Sequence, residues 1–117
     1  MDKIGVSGIN QTGNAVNHPS YLTPQNTFNT LLTACQAKDL KGFSNCFCEK
    51  YNKDNQNNME SIMNGFSELA SSQKLTLGKQ IINDDDDKGF MLNANGQEME
   101  KVVYFVKENN RWVLSGD

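Results

Sequence analysis

The sequence predicts a single α+β domain in which helices come first and an antiparallel sheet follows. Apolar residues recur at intervals of three and four between residues 23 and 70, which is the period of a helix. From residue 74 onward they alternate with polar residues, which is the period of a strand. Pairs of turn-forming residues at 95–96 and 109–110 separate the later apolar runs. The 117 residues are an ordinary length for one domain.

The net charge and the apolar runs argue against two classes of protein. The net charge is -3, so the chain lacks the basic surface that binds nucleic acid or an anionic membrane. The longest apolar run is residues 102–106, whereas a membrane-spanning helix needs about 20 apolar residues. We therefore expect no nucleic-acid partner and no membrane span. No cofactor motif stands out, and we expect no cofactor.

Residues 1–22 differ in composition from the rest of the chain. They are rich in Gly, Asn, Ser and Thr and show no helical period, which predicts a flexible N-terminal arm ahead of one domain at residues 23–117. Residues 1–5 lack the apolar core of a secretory signal. Two localisations stay open: cytoplasmic, or exported to a periplasm after removal of a signal.

The first helix is predicted to begin at Thr23 and Pro24. Threonine is a good N-cap, and proline fits the first helical position because its missing N–H would be unpaired there. The helix should end near Lys38. Its inner face carries Phe28, Leu31, Leu32 and Cys35.

Two further helices are predicted before the sheet. Asp39 is the expected cap of a short second helix, whose inner face carries Leu40, Phe43 and Phe47. Residues 51–58 are polar and predict a loop, and Asn58 is the expected cap of the third helix. The third helix has an amphipathic stripe made of Met59, Ile62, Met63, Phe66, Leu69 and Ala70.

Four strands are predicted after the helices, each joined to the next by a short turn. They lie at residues 74–82, 90–94, 98–107 and 111–115. Asn95-Gly96 is a strong hairpin signal because both residues tolerate the positive φ of a type I′ turn. Sequential strands with short connections predict an antiparallel meander.

The order of elements and the last hairpin resemble the nuclear transport factor 2-like superfamily. Three helices followed by a meander is the order found there, and the segment 34–47, which Asp39 divides, is similar to the first two helices of that group. The closing hairpin resembles that of its small members in the succession Val102–Val106, Lys107-Glu108, Asn109-Asn110 and Arg111–Leu114.

The resemblance implies a fold but no single activity. The implied fold is three N-terminal helices packed on a curved four-stranded antiparallel meander, often with a pocket inside the resulting cone. The superfamily includes isomerases, dehydratases, transport adaptors, immunity proteins and exported lipoproteins. Pairing through the outer sheet face is common among them.

The predicted third strand is apolar on both of its faces. One face carries Val102, Tyr104 and Val106, and the other carries Met99, Val103 and Phe105. The helices cover one face of the sheet, so the other face needs a second cover. We expect a homodimer paired through this sheet face, with the N-terminal arm or a loop as the alternative cover.

The three cysteines predict neither a metal site nor disulfide bonds that would include all of them. Cys35, Cys46 and Cys48 cannot all pair within one chain. The spacing of Cys46 and Cys48 is tighter than that of a zinc site, and no second pair completes one. We expect buried small side chains. A bridge between Cys35 and Cys46 stays open, because the predicted helices place both cysteines on facing surfaces.

The four consecutive aspartates at residues 84–87 invite comparison with a calcium loop. An EF-hand loop that began at Asp84 would have a glycine at its sixth position but Asn95 at its twelfth, where calcium requires a bidentate glutamate. We expect a solvated turn that holds a cation weakly at most, through Asp84 and Asp86.

No catalytic set stands out, and we assign no catalytic residue. His18 is the only histidine, and it precedes a proline in the predicted arm, where little would hold a general base in place. The residues that we expect to line a pocket or an interface are Tyr51, Phe66, Glu68, Tyr104 and Trp112.

These observations favour a non-catalytic interaction or small-ligand-binding domain, of a kind found in exported bacterial proteins. Its partner would be a small apolar ligand or another protein, with the acidic turn facing a basic surface. The alternative is a small isomerase- or hydratase-like enzyme whose internal pocket holds a tyrosine and a carboxylate.

Overall fold

Four helices precede four strands in the computed structural model, which describes residues 21–116. The helices are α1 (Pro24–Ala37), α2 (Leu40–Asn45), α3 (Glu49–Asp54) and α4 (Met59–Ser72). The strands are β1 (Leu75–Asn83), β2 (Asp87–Ala94), β3 (Gln97–Glu108) and β4 (Arg111–Leu114). The predicted α+β order is confirmed. Nearly all of the predicted N-terminal arm lies outside the described residues.

α1 begins and ends at the predicted residues, and α2 begins at the predicted residue but ends at Asn45, before Phe47. Thr23 caps α1, because its Oγ1 accepts a hydrogen bond from the N–H of Asn26 at 3.0 Å. The helix ends at Lys38, which takes a left-handed conformation with φ 56°. Asp39 then caps α2, because its Oδ1 accepts a hydrogen bond from the N–H of Gly42 at 3.1 Å.

The prediction of three helices is wrong, because part of the predicted polar loop at residues 51–58 forms α3. This helix has no buried residue and is only six residues long, so it leaves no apolar period in the sequence. It is held by local interactions instead. The Sγ of Cys48 accepts a hydrogen bond from the N–H of Tyr51 at 3.4 Å, and Lys50 pairs with Asp54 at 2.7 Å.

The predicted cap of α4 is only partly correct. Asn58 occupies the N-cap position, but its side chain makes no capping hydrogen bond. Its backbone is already in the helical region, at φ -119° and ψ -2°, whereas a side chain caps well from an extended backbone. The carbonyl of Asn58 accepts the first hydrogen bond of the helix, from the N–H of Ile62.

The sheet is the predicted antiparallel meander, in the order β1-β2-β3-β4. Asn95 and Gly96 have φ values of 53° and 82°, as predicted for this turn. Asn109 and Asn110, at the second predicted tight turn, have φ values of 52° and 62°. β2 begins at Asp87 rather than at the predicted residue 90, because Asp87 pairs opposite Val106 of β3. Asp87 therefore belongs to the strand, and three of the four consecutive aspartates remain in the acidic turn.

Irregular pairing interrupts two of the strands. The register of β1 against β2 shifts on both sides of Gln80, and that of β2 against β3 shifts between Met91 and Asn93. Extra residues in one strand of a pair bend that strand and increase its twist. β1 is an outer strand, and its bulges make it a poor template for pairing with another chain.

The core lies between the helices and one face of the sheet. Phe28, Leu31, Phe43 and Phe105 are almost fully buried there, and Met99 and Val103 pack against the same cluster. By alternation along β3, Val102, Tyr104 and Val106 lie on the opposite face, where each is half-buried. The two apolar faces of the strand are therefore the predicted ones. Among the described helices, none is long and apolar enough to cross a membrane.

The segment that links α2 to α3 covers the outer edge of β4. The N–H of Leu114 donates to the carbonyl of Cys46, and the N–H of Cys48 donates to the carbonyl of Leu114, both at 2.8 Å. Phe47 thereby forms a parallel bridge with Leu114. This contact brings the aromatic residues at the start of α3 against the end of the sheet.

Candidate functional site

An apolar cavity of about 250 Å³ lies where β4 ends, between the sheet and the helices. We call it the aromatic cavity. The helical segments contribute Phe47, Tyr51 and Phe66, and the end of the chain contributes Gly116. The sheet contributes Leu92, Lys101, Val102, Val103, Tyr104 and Leu114.

Stacked aromatic rings form the helical wall of the aromatic cavity. The rings of Phe47 and Tyr51 are nearly parallel, with centroids 4.7 Å apart. Phe43 stands behind them, 5.0 Å from Phe47 and 5.9 Å from Phe66. Aromatic pairs at these distances add to the stability that burial provides, so the wall is preorganised.

The tail after β4 closes one side of the cavity. The N–H of Ser115 donates to the carbonyl of Tyr104 at 3.0 Å, which continues the pairing of β4 by one residue. Gly116 then turns the chain away with φ 85°. A Cβ at Gly116 would overlap the Tyr51 ring, so the tail lies directly against this side chain. A glycine is required at this position both by its φ and by the close approach.

The lining of the aromatic cavity is apolar apart from two tyrosines and one lysine. Among the lining residues within 21–116, Lys101 is the only charged one, and its side chain is exposed. No carboxylate and no histidine is among the lining residues that the structure describes. His18 lies outside the described residues.

Three of the five predicted pocket residues meet at this cavity. Tyr51, Phe66 and Tyr104 line it together. Glu68 does not, because it lies on the exposed face of α4. Trp112 is 6% exposed and belongs to the core, where the ammonium groups of Lys88 and Lys107 lie 5.3 and 5.4 Å from its ring centroid.

Four lining residues, Phe47, Lys101, Val103 and Gly116, are not among the residues that the sequence predicts for a site. The helical period predicts Phe47 on the inner face of the second helix, whereas Phe47 follows that helix and bridges to Leu114. No local pattern indicated that residue 116 would lie against residue 51. The alternation along β3 was the available signal for Val103, because it marked this residue as facing the helices.

Two larger and more polar cavities lie elsewhere. One, of about 530 Å³, separates α1 from the end of α4, and its lining includes Asn29, Gln36, Ser67 and Lys74. The other, of about 590 Å³, lies beside the acidic turn and is lined in part by Asp84 and Asp87. Neither has the aromatic wall of the first cavity.

The acidic turn holds no preformed metal cluster in the described part of the chain. No group of three or more His, Cys, Asp or Glu residues between residues 21 and 116 is arranged to hold a metal ion. Asp84 and Asp86 are both exposed. The weak cation turn stays a prediction.

The three cysteines are free and buried. Burial raises the pKa of the Cys46 thiol to about 12, and the neighbouring Cys35 adds to the rise. Burial also raises the pKa of Cys35, against a smaller opposing effect of Lys38. The Cys46 thiol donates to the carbonyl of Gly42 at 3.4 Å. These thiols have the environment of core side chains rather than of nucleophiles.

Fold and site together define an α+β domain with an aromatic cavity at the open end of its sheet. Comparison with known proteins gives no match to a family model, to a curated protein or to a solved structure.

Proposed function

We propose that this chain is a non-catalytic binding domain that accepts a small apolar group in the aromatic cavity. The observation that carries the proposal is the cavity lining, in which the Phe47, Tyr51 and Phe66 side chains face the apolar end of the sheet. Binding pockets are typically apolar and aromatic with few polar groups, and this lining has that composition.

The size of the cavity limits its occupant. Drug-sized ligands occupy about 300–1,000 Å³, and the aromatic cavity has about 250 Å³. It therefore suits one ring or one large aliphatic group. Full burial of such a group contributes about 1.5–3 kcal/mol, which implies weak binding unless contacts outside the cavity add to it.

The enzyme alternative has less support from this site. An isomerase- or hydratase-like mechanism would require a general acid or base beside a tyrosine, within hydrogen-bond reach of the substrate. Tyr51 and Tyr104 both line the cavity, but by alternation the Tyr104 side chain lies on the face of β3 opposite the helices. Glu68, the candidate carboxylate, lies outside the cavity.

The nuclear transport factor 2-like assignment remains part of this proposal. It is supported by the helix-first order, by the four-stranded meander and by a cavity between sheet and helices. The fourth helix, α3, is an addition to the expected order. A homodimer that covers Val102, Tyr104 and Val106 belongs to the same proposal.

Titration with small apolar molecules tests the proposed function. We would add toluene and indole to ¹⁵N-labelled protein and follow the amide shifts. We expect shifts at residues that line the cavity and at least tenfold weaker binding to Val103→Phe, whose larger side chain fills the cavity. Ile81→Phe is the matched control, because Ile81 is exposed on β1. Absence of shifts at the lining of the folded wild type would refute the proposal.

A further inference from the structure

The two sides of β3 are occupied over different lengths. On one side β2 pairs with Gln97-Glu98 and with Val102–Val106, with a register shift between these two stretches. On the other side β4 pairs only with Phe105–Glu108. Within residues 21–116, no strand lies beside Gln97–Val103 on the β4 side. In the described part of the chain, this stretch is therefore an open sheet edge.

The backbone groups of Val102 point out of this edge. The N–H of Lys107 donates to the carbonyl of Asp86, on the β2 side of β3. The carbonyl of Tyr104 accepts from Ser115 on the opposite side. The backbone groups of alternate residues in a strand point to the same side, so those of Val102 point the same way as those of Tyr104. A further strand would satisfy them in the way that Ser115 satisfies Tyr104.

The open edge and the aromatic cavity are continuous. Ser115 is the last residue that pairs with β3, because Gly116 turns the chain onto Tyr51. The cavity begins at this point and is lined by residues 101–104 of β3. A strand placed on the edge would run along the mouth of the cavity.

We infer that the ligand is an extended peptide that adds as a strand to β3 and inserts one large apolar side chain into the aromatic cavity. Its backbone pairs with Val102. Successive side chains of a strand point to opposite faces, so the inserted side chain belongs to the residue opposite Val103, which faces the helices. Main-chain hydrogen bonds then supply affinity and the cavity supplies specificity. This inference rests on the proposed binding function.

The side chains of the edge disfavour a second copy of this chain as the occupant. The open stretch carries Gln97, Glu98, Glu100 and Lys101, all exposed. If two copies paired through it, polar and charged side chains would have to cover the apolar cavity of the partner. Charged edges of this kind oppose self-pairing. Glu98 and Glu100 instead favour a basic residue in the peptide, a few positions from its apolar anchor.

A blocked peptide of sequence Lys-Thr-Val-Phe-Val-Thr-Lys is the probe. We would titrate it into ¹⁵N-labelled protein and follow the amides of residues 100–104. Replacing its phenylalanine by alanine is expected to weaken binding about tenfold. N-methylation of alternate amides in the peptide provides two matched series. One series blocks the amides that face β3 and is expected to abolish binding, while the other leaves binding within about twofold.

Two proline variants separate the peptide inference from the proposed function. Val102→Pro removes the outward N–H and is expected to weaken peptide binding about tenfold while toluene still binds. Ile81→Pro is the matched control. It lies on the other edge strand, inside the register shift between Gln80 and Ile82, and has no paired residue in β2, so proline is tolerated there. Val103→Phe is expected to block both the peptide and toluene.

The outcomes are distinguishable. Peptide binding that depends on one N-methylation series supports the inference, whether or not Val102→Pro folds. Toluene binding without any peptide-induced shift at residues 100–104, or equal effects of both series, overturns the peptide inference and leaves the cavity function standing. Shifts at β3 that follow protein concentration alone identify a second copy as the occupant and also overturn it. Failure of toluene to bind refutes the proposed function itself.

Discussion

The hydroxyl of Thr27 donates a hydrogen bond to the backbone carbonyl of Trp112 at 2.5 Å, inside the core. Thr27 is the buried polar residue of α1, and this bond ties the helix to β4 across 85 positions of sequence. It holds the first helix against the strand whose end borders the aromatic cavity.

Thr27→Val is expected to destabilise the domain by about 1–3 kcal/mol, because it leaves a buried carbonyl without a donor while it preserves side-chain shape. Urea unfolding followed by the fluorescence of Trp112 measures this change. Thr27→Ser keeps the hydroxyl and serves as the control, with a smaller loss from one missing methyl group. Equal losses in both variants would show that packing rather than the hydrogen bond is responsible.

Alkaline pH is expected to destabilise the fold through two buried acids. Burial raises the pKa of Tyr21 from 10.0 to about 12 and that of Cys46 from 9.0 to about 12. Both groups stay protonated to a higher pH in the folded state than in the unfolded state. The stability is therefore fully present below pH 9 and falls as pH rises from 9 to 12, by up to about 1.4 kcal/mol per pH unit for each group.

Urea unfolding between pH 7 and 11 measures this dependence. Cys46→Ala lowers stability at pH 7 by leaving a small cavity. It should also make the decline between pH 9 and 10 shallower, because the buried thiols of Cys46 and Cys35 cause that part of the decline and Tyr21 contributes only above pH 10. A decline that is as steep in Cys46→Ala as in the wild type would contradict the assignment to Cys46.

Gly116→Ala is expected to alter the aromatic cavity as well as stability. Alanine is strained at φ 85°, and its Cβ would overlap the Tyr51 ring, so either the tail or the ring must move. We expect a loss of about 1 kcal/mol in unfolding free energy and a changed affinity for toluene. Gly96→Ala is the matched control, because Gly96 also has a positive φ but a Cβ added there would meet no atom within 4 Å beyond its chain neighbours. If both variants changed the affinity for toluene equally, the contact between Gly116 and Tyr51 would not be what shapes the cavity.

The proposed homodimer predicts that sedimentation equilibrium gives twice the chain mass. Val106→Lys places a charge on the sheet face opposite the helices and is expected to yield monomers without loss of the fold. Lys101→Glu is the control, since it also changes a charge on β3 but at an exposed position. A wild type that is monomeric at every concentration would refute the dimer.

Local chemistry accounts for the parts of the fold that the sequence predicted. Thr23 and Asp39 cap their helices with their own side chains, within three residues of where they stand. The Asn95-Gly96 and Asn109-Asn110 turns follow from the tolerance of these residues for positive φ. The alternation along β3 predicts its two faces because the direction of each side chain in a strand depends only on neighbouring residues.

The helix α3 and the aromatic cavity follow from contacts between residues that are distant in the sequence. α3 has no buried face of its own, and it lies where it does because Cys46 and Cys48 pair with Leu114. Tyr51, Phe66 and Tyr104 could be named as candidates from their residue type, but only packing brings them together and leaves Glu68 and Trp112 apart. The open edge of β3 likewise depends on where Gly116 turns away from the sheet. Such relationships combine several weak contacts over long separations, whereas each cap, turn and strand period is set by neighbouring residues.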